Sequence, residues 1–347
     1  MPRSDVTTPG LLQKKSKPGV ILAQGGGIKL IKLVGKRGSG KSRFYLSEIV
    51  RVAENIATTE YNRVINWSSE EDCVWVEEEI TPKICVRVLD MDMKGTEELI
   101  ARPAVFPKPL LGCIEKWGIT GVPEEGIDAY DEAKIAFVEY LRHLDTHARK
   151  YPKYRFARFL ILESEEMLYT KAKDHYVKIA YEAEGAENQV DLMLRRREQH
   201  ARTDKFAVLF KGGPRDEFGQ GIYPMLQNFL TNLVAYSGDV GYNVYMTAHV
   251  VEKWVDYEVK ELRRKEEFIA GAPNMTDGFF DAIILFEKIQ RKDVEEPSLE
   301  YYLSTETQLS KNRLCADITM KVEYNSPSNG ASGFWKEVER LRQEEMK

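Results

Sequence analysis

Long apolar runs are missing from this 347-residue sequence. Nowhere do about 18 apolar residues follow one another, as a membrane-spanning helix of ordinary length requires. The first stretch, "MPRSDVTTPGLLQKKSKPG", has basic residues but no apolar segment of the kind that marks a secretory signal. A soluble, unexported protein of the cytoplasm is expected, the host's cytoplasm if the source is viral, with no membrane partner. Cysteine is scarce as well: Cys73, Cys85, Cys113 and Cys315 form no C-x-x-C pair, and no histidine stands at metal-ligand spacing. That argues against a zinc site and against a disulfide framework. An excess of positive charge is also lacking, the formal net charge being −5, so the chain is not a polycation that coats nucleic acid. Any such contact has to be local. No internal repeat is evident.

What the sequence does have is enough apolar residue, 43%, to bury a sizeable core. Residues 1–20 mix Pro, Gly, Ser, Thr and Lys without periodicity and are expected to form a flexible tail. One elaborated domain is expected over 21–325, with charged insertions near 60–83 and 184–218. A linker and a short helix follow over 326–347. Within the domain, "IKLIKLV" (28–34) reads as a strand and "SRFYLSEIVRVAENIA" (42–57) as an amphipathic helix. "KICVRVLDMD" (83–92) is a second strand, the periodic stretch 130–150 a helix, and "RFLILES" (158–164) a third strand. A helix at 223–237 feeds the strand "NVYMTAH" (243–249). Strand, helix, strand is the grammar of a parallel sheet. "DAIILFEKI" (281–289), "LEYYLST" (299–305) and "DITMKVEY" (317–324) are close enough in sequence to be antiparallel neighbours at one edge. The last helix carries Phe334, Trp335, Val338 and Leu341 on one side, a face expected to dock on the protein's own core.

The most specific feature is Gly35-Lys36-Arg37-Gly38-Ser39-Gly40-Lys41-Ser42, followed by Arg43. It fits G-x-x-x-x-G-K-[ST] at every fixed position, between a strand and a helix as that motif demands. Glycines at this spacing let backbone N–H groups turn inward as an anion nest, and the following helix points its positive end at the same phosphates. Lys41 is then expected to reach the β- and γ-phosphates and Ser42 to coordinate Mg²⁺. Nucleoside triphosphate with magnesium is the ligand this loop implies.

Partner motifs narrow the class. "ICVRVLDMDMKG", "FLILESEEML" and "NVYMTAH" follow the phosphate loop in the order seen in RecA-type ATPases. The chain resembles that family over about residues 28–325, most closely its phage-type nucleotide-binding members. The resemblance implies a RecA-like P-loop core: an α/β fold with a mostly parallel sheet flanked by helices and antiparallel strands at one edge. It implies an ATPase that uses ATP and Mg²⁺. By the same resemblance Asp92 is the catalytic base with Asp90 its neighbour, Glu163 the acid near the magnesium water shell with Ser164 beside it, and His249 the γ-phosphate sensor. The family usually has Asp where this chain has Glu163, one methylene longer. "STETQLSKNR" resembles the late hairpin that sends a basic residue onto a neighbouring subunit's nucleotide, which makes Lys311 and Arg313 candidates and implies a homo-oligomer, ring or filament.

The resemblance also implies single-stranded DNA as partner, in viral or phage-type recombination, annealing, repair or replication. Two locally basic stretches, 194–215 and 251–274, stand where the family holds DNA in loops. Arg195, Arg196, Arg197, Arg202, Lys205, Lys211 and Arg215 are candidate phosphate contacts, and Trp254 and Tyr257 candidate stacking groups. Acids are interspersed, so charged surface helices or a subunit contact fit these stretches too. Two other classes stay open: a P-loop kinase of a small molecule or nucleotide, and a noncatalytic module gated by nucleotide.

Overall fold

The computed structural model describes residues 30–90, 95–118, 157–167, 185–187, 191, 194, 243–256, 259–264, 280–291, 298–305 and 318–345. The expected helices at 130–150 and 223–237, the tail, and the insertion at 184–218 apart from residues 185–187, 191 and 194 lie outside those residues.

The phosphate-loop motif sits between β1 (Leu30–Gly35) and α1 (Lys41–Tyr61). The helix ends at Asn62, whose left-handed backbone (φ 51°) turns the following N–H, that of Arg63, back onto Ala57 O at 3.1 Å. The charged stretch 60–83 is ordered: α2 (Glu70–Trp75), a π turn (Val76–Ile80) and a 3-10 turn (Thr81–Lys83) lead into β2 (Ile84–Asp90). Its charges are tied down locally, Lys83 donating to Glu60 and to the Tyr61 hydroxyl at 2.6 Å each, and Arg63 pairing with Asp72. Next come α3 (Gly95–Ile100), a 3-10 turn (Lys108–Cys113) and β3 (Ile114–Gly118). The remaining strands are β4 (Ala157–Glu163), β5 (Asn243–Asp256), β6 (Val259–Arg264), β7 (Ala282–Arg291), β8 (Ser298–Thr305) and β9 (Thr319–Val322). The last helix, α4, spans Asn329–Glu345. No described helix is long and apolar enough to cross a membrane.

Eight strands hydrogen-bond in the order β3-β2-β4-β5-β1-β7-β8-β9, and β6 pairs the far part of β5. From β3 to β7 all neighbours are parallel, whereas β7-β8 and β8-β9 are antiparallel. The chain is thus α/β with a mixed, mostly parallel sheet flanked by helices, and its antiparallel strands are at one edge. Central strands of such a sheet are covered on both faces, and β2, buried at every residue, shows this. One stretch differs from expectation. Residues 251–256 and 259–264, taken from their charge as loop or surface helix, form the β5-β6 hairpin. Val251, Trp254, Val255, Val259 and Leu262 stand at i, i+3, i+4, i+8 and i+11, the spacing of a helix rather than of a strand, so the hairpin does not show in the sequence pattern.

Helix α1 is buried almost all round, which one sheet face alone cannot accomplish. Its second cover is α4. Phe334 stacks edge-on with Phe44 at 5.8 Å, Trp335 Nε1 donates to Glu48 Oε2 at 2.8 Å, and Ala331 N donates to Ser47 Oγ at 2.9 Å. Phe334, Trp335 and Val338 are buried, each contributing about 1.5–3 kcal/mol by leaving water. α4 therefore braces the helix whose first turn forms the phosphate loop's floor.

Candidate functional site

The carboxyl ends of parallel strands are where open α/β sheets carry ligands. In this sheet Gly35 ends β1 between His249 of β5 and Phe286 of β7, and Asp90 of β2 is level with Glu163 of β4. Gly35 has to be glycine because a Cβ there would stand 2.5 Å from Phe286 O, a backbone atom. The loop then turns through Gly38 (φ 74°) and Gly40 (φ 101°), left-handed conformations that favour glycine. Ser39 N donates to Lys36 O at 3.2 Å. Helix α1 starts with no side-chain cap and no acid in its first turn, which reads Lys41, Ser42, Arg43. Its leading N–H groups, the positive helix end and the basic side chains make one anion-binding concavity. Lys41, 5% exposed, donates from Nζ to Gly35 O at 2.8 Å and Lys36 O at 3.1 Å. The ammonium is thereby held along the loop.

Opposite the loop stands an acid. The Ser42 hydroxyl donates to Glu163 Oε1 at 2.6 Å, although β1 and β4 are separated by β5. Glu163 Oε2 is buried as well. Burial pushes the Glu163 carboxyl above its ordinary range against the Ser42 and Tyr45 hydrogen bonds, which lower it; Asp90 adds to the rise and Lys41 opposes it. A serine hydroxyl, a buried carboxylate and open anion-binding amides fit a magnesium ion held by one protein oxygen, water and substrate phosphates. Such a site needs no dedicated cage, and among the described residues no three His, Cys, Asp or Glu groups cluster as metal ligands.

The end of β4 and the turn that follows it, Glu163-Ser164-Glu165-Glu166, send their acids to three different elements. Ser164 adopts φ 72°, a left-handed turn that costs a serine strain, and its N–H donates to Thr247 Oγ1 of β5 at 2.8 Å. Glu163 faces α1, buried Glu165 pairs with buried Lys32 of β1, and Glu166 holds His249 of β5 by its ring Nδ1 and, at 3.4 Å, by its backbone N–H. Burial alone would raise Glu166, but the His249 hydrogen bond and charge outweigh it and hold the carboxyl below its ordinary range.

A cavity of about 460 Å³ lies against the loop and is lined by Lys41, Ser42, Glu163, His249, Arg102 and Tyr301 among others. The antiparallel edge closes its other flank. Tyr324 donates its hydroxyl to Gly40 O at 3.2 Å, Arg43 lies 4.2 Å over the Tyr324 ring and donates to Tyr324 O at 3.2 Å, and Tyr301 meets Tyr324 edge-on at 5.8 Å.

Of the expected site residues, the structure brings together Gly35 to Arg43, Glu163, Ser164 and His249, with Asp90 beside Glu163. Asp92, Lys311, Arg313, Arg195, Arg196, Arg197, Arg202, Lys205, Lys211, Arg215 and Tyr257 lie outside the described residues. Glu166, Arg102, Tyr301 and Tyr324 were not singled out by the sequence. A buried lysine in "IKLIKLV" does signal that some acid must meet it, but not which one. The sequence matches no protein-family model, and no curated protein is significantly similar to it.

Proposed function

We propose that this chain is an ATP-binding and hydrolysing P-loop ATPase of RecA-like type that works as a homo-oligomer on single-stranded DNA. The observation that carries the ATPase reading is the Ser42–Glu163 hydrogen bond beneath an uncapped, basic helix start at the end of a glycine-turned loop. A merely flexible basic turn has no reason to face a buried acid. The phosphates would be held by the loop amides and Lys41, and magnesium by Ser42 directly and by Glu163 through water. When bound, magnesium neutralises charge on the phosphate oxygens. Hydrolysis forms a bond from water oxygen to the γ-phosphorus, breaks the bond to the bridging oxygen of ADP, and leaves the water proton on a base. The resemblance gives that role to Asp92, two residues beyond buried Asp90. The DNA partner rests on the basic stretch 194–215, and the oligomer on Lys311 and Arg313. The test is ATP turnover with and without single-stranded DNA. Stimulated turnover supports the full reading, turnover indifferent to nucleic acid removes the DNA partner, and nucleotide binding without turnover favours the nucleotide-gated module.

A further inference from the structure

The cavity beside the phosphate loop is lined in part by the stretch that follows β2, through Glu98, Leu99, Arg102 and Val105. Among the described residues, Arg102 is the only lysine or arginine in that lining outside Gly35 to Arg43. The stretch is fixed in place twice. Thr96, fully buried, shares a 2.8 Å hydrogen bond with the Tyr45 hydroxyl of α1. Arg102 O accepts from Val105 N at 2.8 Å and from Phe106 N at 2.9 Å, and both of those side chains are buried. The guanidinium takes no part in this anchoring. The Arg102 side chain is exposed, and among the described residues no ion pair or side-chain hydrogen bond holds it. The stretch leaves β2, which lies with β4 on one side of β1 and ends at Asp90, level with Glu163. It thus comes to the loop from the side of the acid that faces Ser42, where the terminal phosphate and its magnesium would lie.

We propose that Arg102 is a catalytic residue acting within its own chain: its guanidinium donates to the terminal phosphate of bound nucleotide and stabilises the charge on those oxygens as the bond to the bridging oxygen breaks. The inference rests on the ATPase reading. An arginine offers five donors in a planar fork that matches phosphate oxygens, and such a cation acts without giving up a proton. A pinned backbone carrying an uncommitted side chain is the arrangement that lets the fork reach a ligand at little cost in order. The site would then hold a transition-state cation of its own, whereas Arg313 was expected from a neighbouring subunit.

Arg102→Ala removes an exposed side chain and leaves the backbone hydrogen bonds of the turn, so the variant is expected to keep the Tm of the natural protein. Its kcat is expected to fall about 100-fold or more. Affinity for an ATP analogue with a nonhydrolysable β–γ bridge is expected to fall about tenfold and that for ADP less than about twofold, because only the triphosphate meets the guanidinium. Whether the cation acts in cis is read from Lys41→Ala and Arg102→Ala chains carrying different tags, co-expressed and purified through both. A cis residue leaves these mixed oligomers as inactive as either variant alone. If no doubly tagged protein forms, the chains do not associate and the loss of kcat is itself a cis effect. Activity regained in mixed oligomers would place Arg102 in a neighbour's site and overturn the proposal. A kcat within about threefold of the natural protein, or analogue and ADP affinities that fall together, would overturn it as well. A natural protein that binds nucleotide but hydrolyses no ATP sinks the ATPase reading, and the analogue-against-ADP comparison then still decides whether Arg102 meets the terminal phosphate.

Discussion

Ser42 and Glu163, 121 residues apart in the chain, meet through a 2.6 Å hydrogen bond in which the serine hydroxyl donates to the acid. The contact couples stability to function. The Glu163 carboxyl is raised by burial, so the folded chain holds that proton more firmly than the unfolded one. Its contribution to the ligand-free fold is therefore best at low pH and declines as pH rises from the ordinary carboxylate value through the raised one. Glu163→Gln keeps an acceptor for Ser42 and removes the buried charge. Differential scanning calorimetry without nucleotide at neutral pH should show a higher Tm for the variant, with ATP turnover lost. A lower Tm would mean that the charge is compensated in the resting protein.

The glycines of the loop should not be equivalent. A Cβ on Gly35 meets the backbone of β7 at 2.5 Å, while a Cβ on Gly38 meets nothing within 4 Å and suffers only from its φ of 74°. Gly38→Ala should cost about 1–2 kcal/mol, the left-handed penalty alone. Gly35→Ala should cost clearly more and loosen the loop. Urea unfolding and fluorescent-nucleotide titration of both variants test the order, which equal losses would contradict.

Lys32 of β1 and Glu165, two residues beyond the end of β4, form a buried ion pair. Lys32→Met leaves a carboxylate inside the fold and should destabilise by about 3–5 kcal/mol, whereas the double change Lys32→Met with Glu165→Leu should recover most of it. Denaturant midpoints of the three proteins check this, and a double variant as unstable as the single one would argue against it.

Strands with long apolar runs were legible in the sequence because a covered parallel sheet demands such runs, and β1, β2, β4, β7 and β8 lie within a residue or two of their expected bounds. The stretch 251–264 was not legible as a hairpin, since its apolar residues fall at helical spacing among many charges. The phosphate loop could be read because its parts are contiguous. The links to it could not: Tyr324 reaches Gly40 across 284 residues and Glu166 reaches His249 across 83, distances over which spacing carries no signal. Glu163 was found by the apolar run before it, but the division of labour with Glu165 and Glu166 depends on one left-handed serine.

The brace formed by α4 should matter for stability more than for the nucleotide. Trp335→Ala removes ring packing on α1 and the hydrogen bond to buried Glu48, and should cost about 3–5 kcal/mol. Trp335→Phe keeps most of the packing and leaves Glu48 paired with Arg51, so it should cost only about 1–3 kcal/mol. Nucleotide affinity at a temperature where both variants remain folded should be unchanged. An affinity loss that tracks neither variant's stability would place α4 in the site itself.

The central claim is that the loop at Gly35 to Ser42 binds and turns over ATP. The most direct measurement is ATP hydrolysis by the purified protein beside Lys41→Ala, with circular dichroism to show that the variant is folded. Turnover in the natural protein that falls by about 100-fold or more in a folded Lys41→Ala variant is the predicted result, as expected for removing a cation from the transferred phosphoryl group. Equal turnover by both proteins, or none by either, would contradict it.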